Sequence, residues 1–436
     1  MFDKFNEECA VFGAVGIPEA SNFCYLGLYA QQHRGQEGAG IASTDSHNIF
    51  VHRAMGLVAD VFPPNVLNEL KGAAAIGHNR YATCGSKDWL NLQPLVANLS
   101  RECFAVAHNG NLVNAGELRK QLELEGAIFS ATSDSEVFLH LIARTDYSLP
   151  MVDRVAAAVR QIKGAFSVVI LTQDGLIAVR DTHGVRPLSL ASLGEGFVVS
   201  SETCAFDLIG AKFIREIEPG EVLEITHRGT MTSGRIDDTK NSSLCVFEFI
   251  YFSRPDSTMK GKNIYSVRKK MGAQLAKEHK VDADLVVPVP SSGVAAAIGY
   301  AQEANIPMEF GLVRNHYVGR TFIEPKQSIR DFGVKLKLNA NRGILEGKRV
   351  ILVDDSIVRG TTCRKLVNMV REAGAKEVHF RVSSPPTVGS CHYGIDTPSE
   401  NELIASSSTV EQIRNYIGAD TLGYLSIDGL YEAVED

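Results

Sequence analysis

The apolar run VILV at 350–353 ends in two adjacent carboxylates, Asp354 and Asp355, and continues as SIVRGTT into a helical pattern. Carboxylates at the carboxyl end of a buried strand suit ribose hydroxyls or a hard cation such as Mg²⁺. The helix start beyond them offers unpaired N–H groups and a favourable dipole to a phosphate. A lone acidic pair is ordinarily a solvated turn. Here the strand before it, and the loop of hydroxyls and one glycine after it, point to a ligand. A second candidate lies near the other end of the chain, where Cys9 follows two acids in NEECAVFG and leads into a run of β-formers. An isolated cysteine most often simply packs, so its chemistry depends on its company.

Three fragments supply that company. GHNRYATCGS contains Arg80, whose guanidinium can clamp a carboxylate through paired hydrogen bonds. AHNGNLVN sets Asn109 beside Gly110, and a side-chain amide next to a glycine N–H makes an oxyanion hole. SDSE places Asp134 at a helix start, where it can receive an ammonium group or cap the helix. Taken singly, these are a surface arginine, a turn and a cap.

The elements that must position these groups fall into two rhythms. In the first half, AVFGAVG, AAAIGHNRYA, CFAVAHNGNLV, AFSVVILTQDGLIAVRD and GFVVSSE are short β-rich runs closed by Gly, Asn or Asp. Helical patterns interrupt them. TSDSEVFLHLIAR has Ser133 and Glu136 at capping-box spacing, and MVDRVAAAVRQIKG reads as a helix ending on its glycine. The polar stretch SGRIDDTKNSSL, 233–244, marks a domain boundary. Beyond it, ADLVVPVP and KRVILVDD are continuous apolar strands, each followed by a loop and a helix, as in a parallel sheet covered on both faces.

Length and composition bound the answer. A chain of 436 residues exceeds one ordinary core, and 44% hydrophobic with 22% charged residues is an ordinary soluble composition. The net charge of -7 comes with no basic run, which argues against a nucleic-acid partner. Eight irregularly spaced cysteines do not form a secreted disulfide framework. MFDKFNEE lacks the apolar core of a secretory signal, and no uncharged apolar stretch reaches the ~18 residues of a membrane span. The expectation is a cytoplasmic protein with no membrane partner.

VILVDDSIVRGTT resembles the phosphoribosyl pyrophosphate motif of type I phosphoribosyltransferases. The resemblance implies that Asp354 and Asp355 contact the ribose diol. It gives the 5-phosphate to the loop Ser356, Ile357, Val358, Arg359, Gly360, Thr361 and Thr362. VPVPSSG is similar to that family's pyrophosphate loop at Ser291, Ser292 and Gly293, and HYVGRTFIEPKQSIRD, 316–331, to its mobile substrate-covering loop. Mg²⁺ is implied as the cation that neutralises pyrophosphate, with Ser292, Asp354 and Asp355 as direct or water-mediated contacts.

CAVFG, YLGLYAQQHRGQEGAGIAS and the three fragments above resemble the glutamine amidotransferases of the N-terminal-nucleophile type. In that family the cysteine is the first residue of the mature chain and its own α-amine is the base. The resemblance makes residues 1–8 a propeptide and Cys9 the nucleophile. Arg80 then takes the α-carboxylate of glutamine, Asp134 its α-amine, and Asn109 with Gly110 the oxyanion. Ala10, where the family often has glycine, and Cys84 with KDWL in the following loop depart from its pattern; neither removes a named group.

Together the two resemblances imply an α/β and α+β chain of two domains. An Ntn-hydrolase αββα sandwich spans 9–240, and a type I phosphoribosyltransferase parallel-sheet domain spans 241–436. Ammonia released from glutamine in the first would displace pyrophosphate from C1 of phosphoribosyl pyrophosphate in the second. That gives phosphoribosylamine, the entry to purine synthesis. The family adds purine nucleotides as feedback inhibitors and a homo-oligomer, tetramer or dimer. Two rivals remain on sequence: another amidotransferase, such as a glucosamine-phosphate synthase, against which the Asp354–Asp355 motif argues, and a non-catalytic sensor of phosphoribosyl pyrophosphate, against which Cys9, Arg80, Asn109 and Asp134 argue.

One branch of the family carries a [4Fe–4S] cluster on four cysteines, two of which match Cys245 and Cys391. The other two form a C-x-x-C pair that the sequence, ending at Asp436, does not contain. Since such a cluster ordinarily takes four thiolates, the expectation is no intact cluster, with Cys245 and Cys391 a vestigial pair close together and Cys363 committed to packing; the alternative is that the sequence is a shortened form of a cluster-bearing protein.

Overall fold

The computed structural model describes residues 9–81, 89–237, 242–315 and 338–435. The expected propeptide, Cys84 and the 316–331 segment lie outside the described residues.

The first half stacks two antiparallel sheets. One has seven strands in the order Lys212–Glu216, Ser189–Leu193, Gly196–Ser200, Ala10–Val15, Ala74–Arg80, Gly38–Thr44 and Ile49–Met55. The other has six, in the order Met231–Arg235, Glu221–Thr226, Gly175–Arg180, Gly164–Leu171, Cys103–Leu112 and Leu95–Asn98. The central strands are buried along nearly their whole length, including the polar end His78, Asn79 and Arg80 of one of them. Val11, Val15, Ile76, Val169, Leu176 and Val199 fill the space between the sheets. On the outer face of the first sheet, helix Ala20–Ala30 packs Cys24 and Leu28 against Phe12 and Ile41. On the outer face of the second, helices Glu136–Ala143 and Met151–Val159 pack Phe138, Ile142 and Val155 against Phe166 and Val168. Burying each such side chain is worth about 1.5–3 kcal/mol before the entropy of ordering is charged against it. The layers are helix, sheet, sheet, helix, the αββα sandwich expected from the sequence.

Two local expectations fail. The Ser133–Glu136 capping box does not form. The helix begins at Glu136, and the Glu136 carboxylate turns back to accept from Ser130 N at 2.8 Å and Ala131 N at 2.7 Å. The preceding turn thus claims the carboxylate that the cap needed. The next helix stops at Val159, short of Gly164, which opens the following strand instead.

The second half has a four-stranded parallel sheet in the order Leu285–Pro288, Arg349–Asp354, Glu377–Val382 and Thr421–Tyr424. Helices Thr361–Glu372 and Val410–Ile417 cover one face, giving a core with Val350, Leu352, Leu366, Val370, Phe380 and Ile413. Helices Ile264–Glu278, Val294–Ala304 and Ile427–Glu435 cover the other, around Ile351, Val353, Met271 and Tyr300. With helices on both faces, ligand loops are confined to the carboxyl ends of the strands.

Buried charge joins the halves. Arg34 donates to Glu202 in the first half and to Glu248 at the start of the π-helical segment Glu248–Phe252 in the second. Glu202 also accepts from Arg254 N at 2.9 Å and Ser257 Oγ at 2.7 Å. Burial pushes the Glu202 carboxyl up, but His33 and Arg34 beside it outweigh this and hold it well below the usual carboxylate range.

Candidate functional site

Cys9 stands just before strand Ala10–Val15, which pairs antiparallel with Ala74–Arg80 so that Ala10 faces Asn79. This register carries the thiol to the end of the neighbouring strand. Cys9 Sγ lies 3.3 Å from the carbonyl oxygen of Tyr81 and 3.4 Å from its N–H. Arg80, the residue before Tyr81, is buried. Ala10, the departure from the family pattern, is fully buried in the sheet.

Asn109 and Gly110 lie on Cys103–Leu112 in the other sheet. Gly110 has φ +143°, and a Cβ there would stand 2.0 Å from the Ala165 carbonyl oxygen, so only glycine fits. The Asn109 amide donates to Ser201 Oγ at 3.4 Å, and the same hydroxyl accepts from Val11 N at 3.0 Å. One serine thereby ties the Asn109 amide to the strand that follows Cys9.

Asp134 is buried and bonded to this strand rather than capping the helix. Its Oδ2 accepts from Leu112 N at 2.9 Å. Its Oδ1 lies 3.4 Å from the Ser133 and Ser135 hydroxyls. His108, also buried, shares a 3.0 Å hydrogen bond between its Nδ1 and Ser135 Oγ, and its N–H donates to Gln93 Oε1 at 2.6 Å. Burial pushes the His108 imidazole below its ordinary value, against the pull of Asp134.

The second site forms where two adjacent parallel strands end. Leu285–Pro288 runs into Ser291, Ser292 and Gly293, and Arg349–Asp354 runs into the loop that opens helix Thr361–Glu372. Ser292 Oγ donates to Asp355 Oδ1 at 3.0 Å, joining the two loops. Ser356 Oγ donates to Asp355 Oδ2 at 3.1 Å, and Asp355 N to Asp354 Oδ1 at 2.9 Å. Asp354, Asp355, Ser356, Ile357, Val358 and Thr362 are buried, while Arg359 and Thr361 are exposed at the loop's rim. Ile357 and Val358 anchor the loop in two apolar cores.

Among the described residues no group of three or more His, Cys, Asp and Glu is placed to hold a metal ion. The donors at the strand ends are all oxygens, which fits a hard cation completed by substrate oxygens rather than a protein cage. Cys245 and Cys391 both pack against the apolar cluster of Phe252, Val358, Ile395 and Leu403, and Cys363 is buried in the core under its own helix.

Sequence reasoning missed Ser201, His108, Arg186 and Glu248. The available signal was polarity at positions that continue buried strands: Ser201 and Glu202 directly follow the apolar GFVVS, and His108 directly follows CFAVA.

Family models match both halves: a glutamine amidotransferase domain over residues 78–207 and a phosphoribosyl transferase domain over 260–387. The amidophosphoribosyltransferase of Bacillus subtilis (strain 168) is 51% identical over 430 residues, covering 98% of this chain and 90% of that protein. That of Rhizobium etli is 53% identical over 441 residues, covering 99% and 88%. The solved structure of the glutamine phosphoribosylpyrophosphate amidotransferase from B. subtilis, complexed with ADP and GMP, superposes with a TM-score of 0.93 at 51% identity. It covers 98% of this chain and 92% of that one. Two linked loops that end parallel strands, a thiol laid on the end of an antiparallel one, and relatives alike over nearly their whole length agree: the chain belongs to the amidophosphoribosyltransferase family.

Proposed function

We propose that this enzyme, which hydrolyses glutamine and transfers the ammonia to C1 of phosphoribosyl pyrophosphate, uses Cys9 as nucleophile in one half and the Asp354–Thr362 loop as sugar-phosphate cradle in the other. The observation that carries the reading is the convergence at the sheet ends. The Cys9 thiol lies on the backbone beside Arg80, and Ser201 binds the Asn109 amide to the Cys9 strand.

In this reading, cleavage between Glu8 and Cys9 frees an α-amine that titrates near 8 when unperturbed and serves as the base. It takes the thiol proton, and Cys9 Sγ bonds to the amide carbon of glutamine. The oxyanion is held by the Asn109 amide and Gly110 N–H. As the carbon–nitrogen bond breaks, the proton goes to the leaving ammonia, and water then hydrolyses the thioester to glutamate. Arg80 and Asp134 hold the substrate's α-carboxylate and α-amine.

In the second half Asp354 and Asp355 accept from the ribose hydroxyls, and the loop to Thr362 takes the 5-phosphate at the helix N-terminus. Ammonia forms the new bond to C1 while the C1–oxygen bonding pair leaves with pyrophosphate. Mg²⁺ held through Asp354, Asp355 and Ser292 together with substrate oxygens would neutralise charge on that leaving group. Purine nucleotides as feedback ligands, a homo-oligomeric assembly and a cytoplasmic location belong to the same proposal. The ADP and GMP of the B. subtilis complex support the first. Among the described residues, no helix is long and apolar enough to cross a membrane.

Labelling with an electrophilic glutamine analogue followed by peptide mass spectrometry tests the reading. A single adduct on a peptide that begins at Cys9 is expected. An adduct on another cysteine, or glutamine hydrolysis by a chain still carrying Met1–Glu8, overturns it.

A further inference from the structure

The oxyanion-hole strand is held from outside its own domain. Gly394, in the loop after strand Glu377–Val382, lies against Gly110. With φ +105°, a Cβ on Gly394 would stand 3.0 Å from the Gly110 carbonyl carbon and 3.1 Å from Arg186 Nη2. On the same loop the His392 carbonyl oxygen accepts from Asn111 Nδ2 at 2.9 Å. The Tyr393 carbonyl oxygen accepts from Arg186 through Nε, at 3.0 Å, and through Nη2. Arg186 is fully buried, and its guanidinium lies 3.8 Å from Glu248. Its backbone is fixed in turn by Asp181, whose carboxylate accepts from His183 N at 3.0 Å, Val185 N at 3.1 Å and Arg186 N at 3.2 Å.

This loop is one body. Cys391 N donates to Thr397 Oγ1 at 2.8 Å, and Ser390 Oγ to the Pro398 carbonyl oxygen at 2.8 Å. Its far end meets the phosphate loop: Ile404 N donates to the Val358 carbonyl oxygen at 2.9 Å, and Ile395, Leu403 and Val358 share one apolar cluster. The loop thus touches the oxyanion strand with one end and the phosphate loop with the other.

We infer that residues 391–404 form a strap in which Gly394, His392 and the Arg186-held Tyr393 carbonyl are positioning elements for Gly110, setting the oxyanion hole of the glutamine site from the phosphoribosyltransferase half. The inference rests on the reading of Gly110 as an oxyanion donor. None of the three is placed in contact with substrate: Gly394 packs on Gly110, His392 holds its neighbour Asn111, and Arg186 holds the Tyr393 carbonyl that fixes the loop between them. A misplaced oxyanion donor raises the barrier to thioester formation without weakening ground-state binding, because Arg80 and Asp134 hold the glutamine.

The experiment uses the mature full-length enzyme carrying Gly394→Ala, with Asn111→Ala as a second variant. Asn111→Ala removes the exposed side-chain bond to the His392 carbonyl, a change that the fold tolerates more readily than a new Cβ at Gly394. Glutamine hydrolysis should lose kcat about 10- to 100-fold in Gly394→Ala and about 3- to 10-fold in Asn111→Ala, with KM for glutamine within about twofold of wild type. Ammonia-dependent synthesis should stay within about twofold. So should the rate of Cys9 alkylation by iodoacetamide, a displacement at saturated carbon that forms no oxyanion. Unchanged kcat in both variants overturns the inference. So does a fall in iodoacetamide reactivity or ammonia-dependent synthesis parallel to that in hydrolysis, which would mark general damage. Failure of the underlying reading shows separately: glutamine hydrolysis that survives Cys9→Ala removes the thioester, and wild-type kcat in Asn109→Ala removes the oxyanion hole at Asn109 and Gly110.

Discussion

The Cys9 thiol and the Tyr81 backbone form a closed pair: Sγ lies 3.3 Å from the carbonyl oxygen and 3.4 Å from the N–H of the residue that follows Arg80. The contact brings the proposed nucleophile beside the proposed carboxylate clamp through strand register, because Ala10 faces Asn79 across the ladder. The Asp354–Asp355 loop belongs to a different sheet with its own cores. Cys9→Ala is therefore expected to abolish glutamine-dependent synthesis while leaving ammonia-dependent synthesis within a few-fold of wild type. Steady-state assays with each nitrogen source check this, and loss of both activities in a folded variant counts against the division of labour.

Asp354→Asn combined with Asp355→Asn removes two buried carboxylates but leaves their size. Synthesis from either nitrogen source should fall at least about 100-fold, since the acceptors proposed for the ribose hydroxyls and the oxygens proposed for a cation go together. Basal glutamine hydrolysis should survive. Calorimetric titration with phosphoribosyl pyrophosphate is the direct check, and wild-type affinity in the double variant would remove these residues from the site.

The parts of each site that lie within one local stretch were legible in the sequence. VILVDDSIVRGTT announces a buried strand and a helix start within thirteen residues, and both form, whereas the strained backbone of Gly110 in mid-strand could not be read from HNGN. What joins distant stretches was not. The Asn109–Ser201 bond spans 92 positions and the Asn111–His392 bond 281. Such contacts depend on which strands pair, in which register, and which loop ends fall together, none of which periodicity encodes. The lost capping box has the same origin: Ser133 and Glu136 have the right spacing, but the Ser130–Ala131 turn supplies competing N–H donors.

His78 crosses between the sheets, with Nε2 3.0 Å from the His108 carbonyl oxygen. Burial first, then Arg80 and His108, lower its pKa to about 3 from an ordinary 6.5. A histidine depressed in the folded state takes up its proton only on unfolding. Its contribution is complete above about pH 6.5 and declines by about 1.4 kcal/mol per pH unit as pH falls toward 3. His78→Gln, which keeps an N–H donor, should lose less thermal stability than wild type between pH 6.5 and 4.5. Melting curves at half-unit intervals measure this, and parallel curves for the two proteins would rule His78 out as an acid-labile group.

Ser201 bridges the two sheets at the glutamine site, accepting from Val11 N at 3.0 Å and from the Asn109 amide at 3.4 Å. Ser201→Ala leaves the buried Val11 N–H without this acceptor, at a cost of about 1–3 kcal/mol of stability. It also frees the Asn109 amide to turn from the position proposed for the oxyanion. If Asn109 acts on the transition state as proposed, the loss falls on kcat for glutamine hydrolysis, about tenfold, with KM nearly constant. Ser201→Thr keeps the hydroxyl and should restore much of kcat if the added methyl is accommodated. Ammonia-dependent synthesis separates the two effects: it should hold at temperatures below the lowered melting point, where glutamine hydrolysis is already impaired. A Ser201→Ala enzyme with wild-type kcat at such a temperature would show that the Asn109 amide is oriented without this hydroxyl.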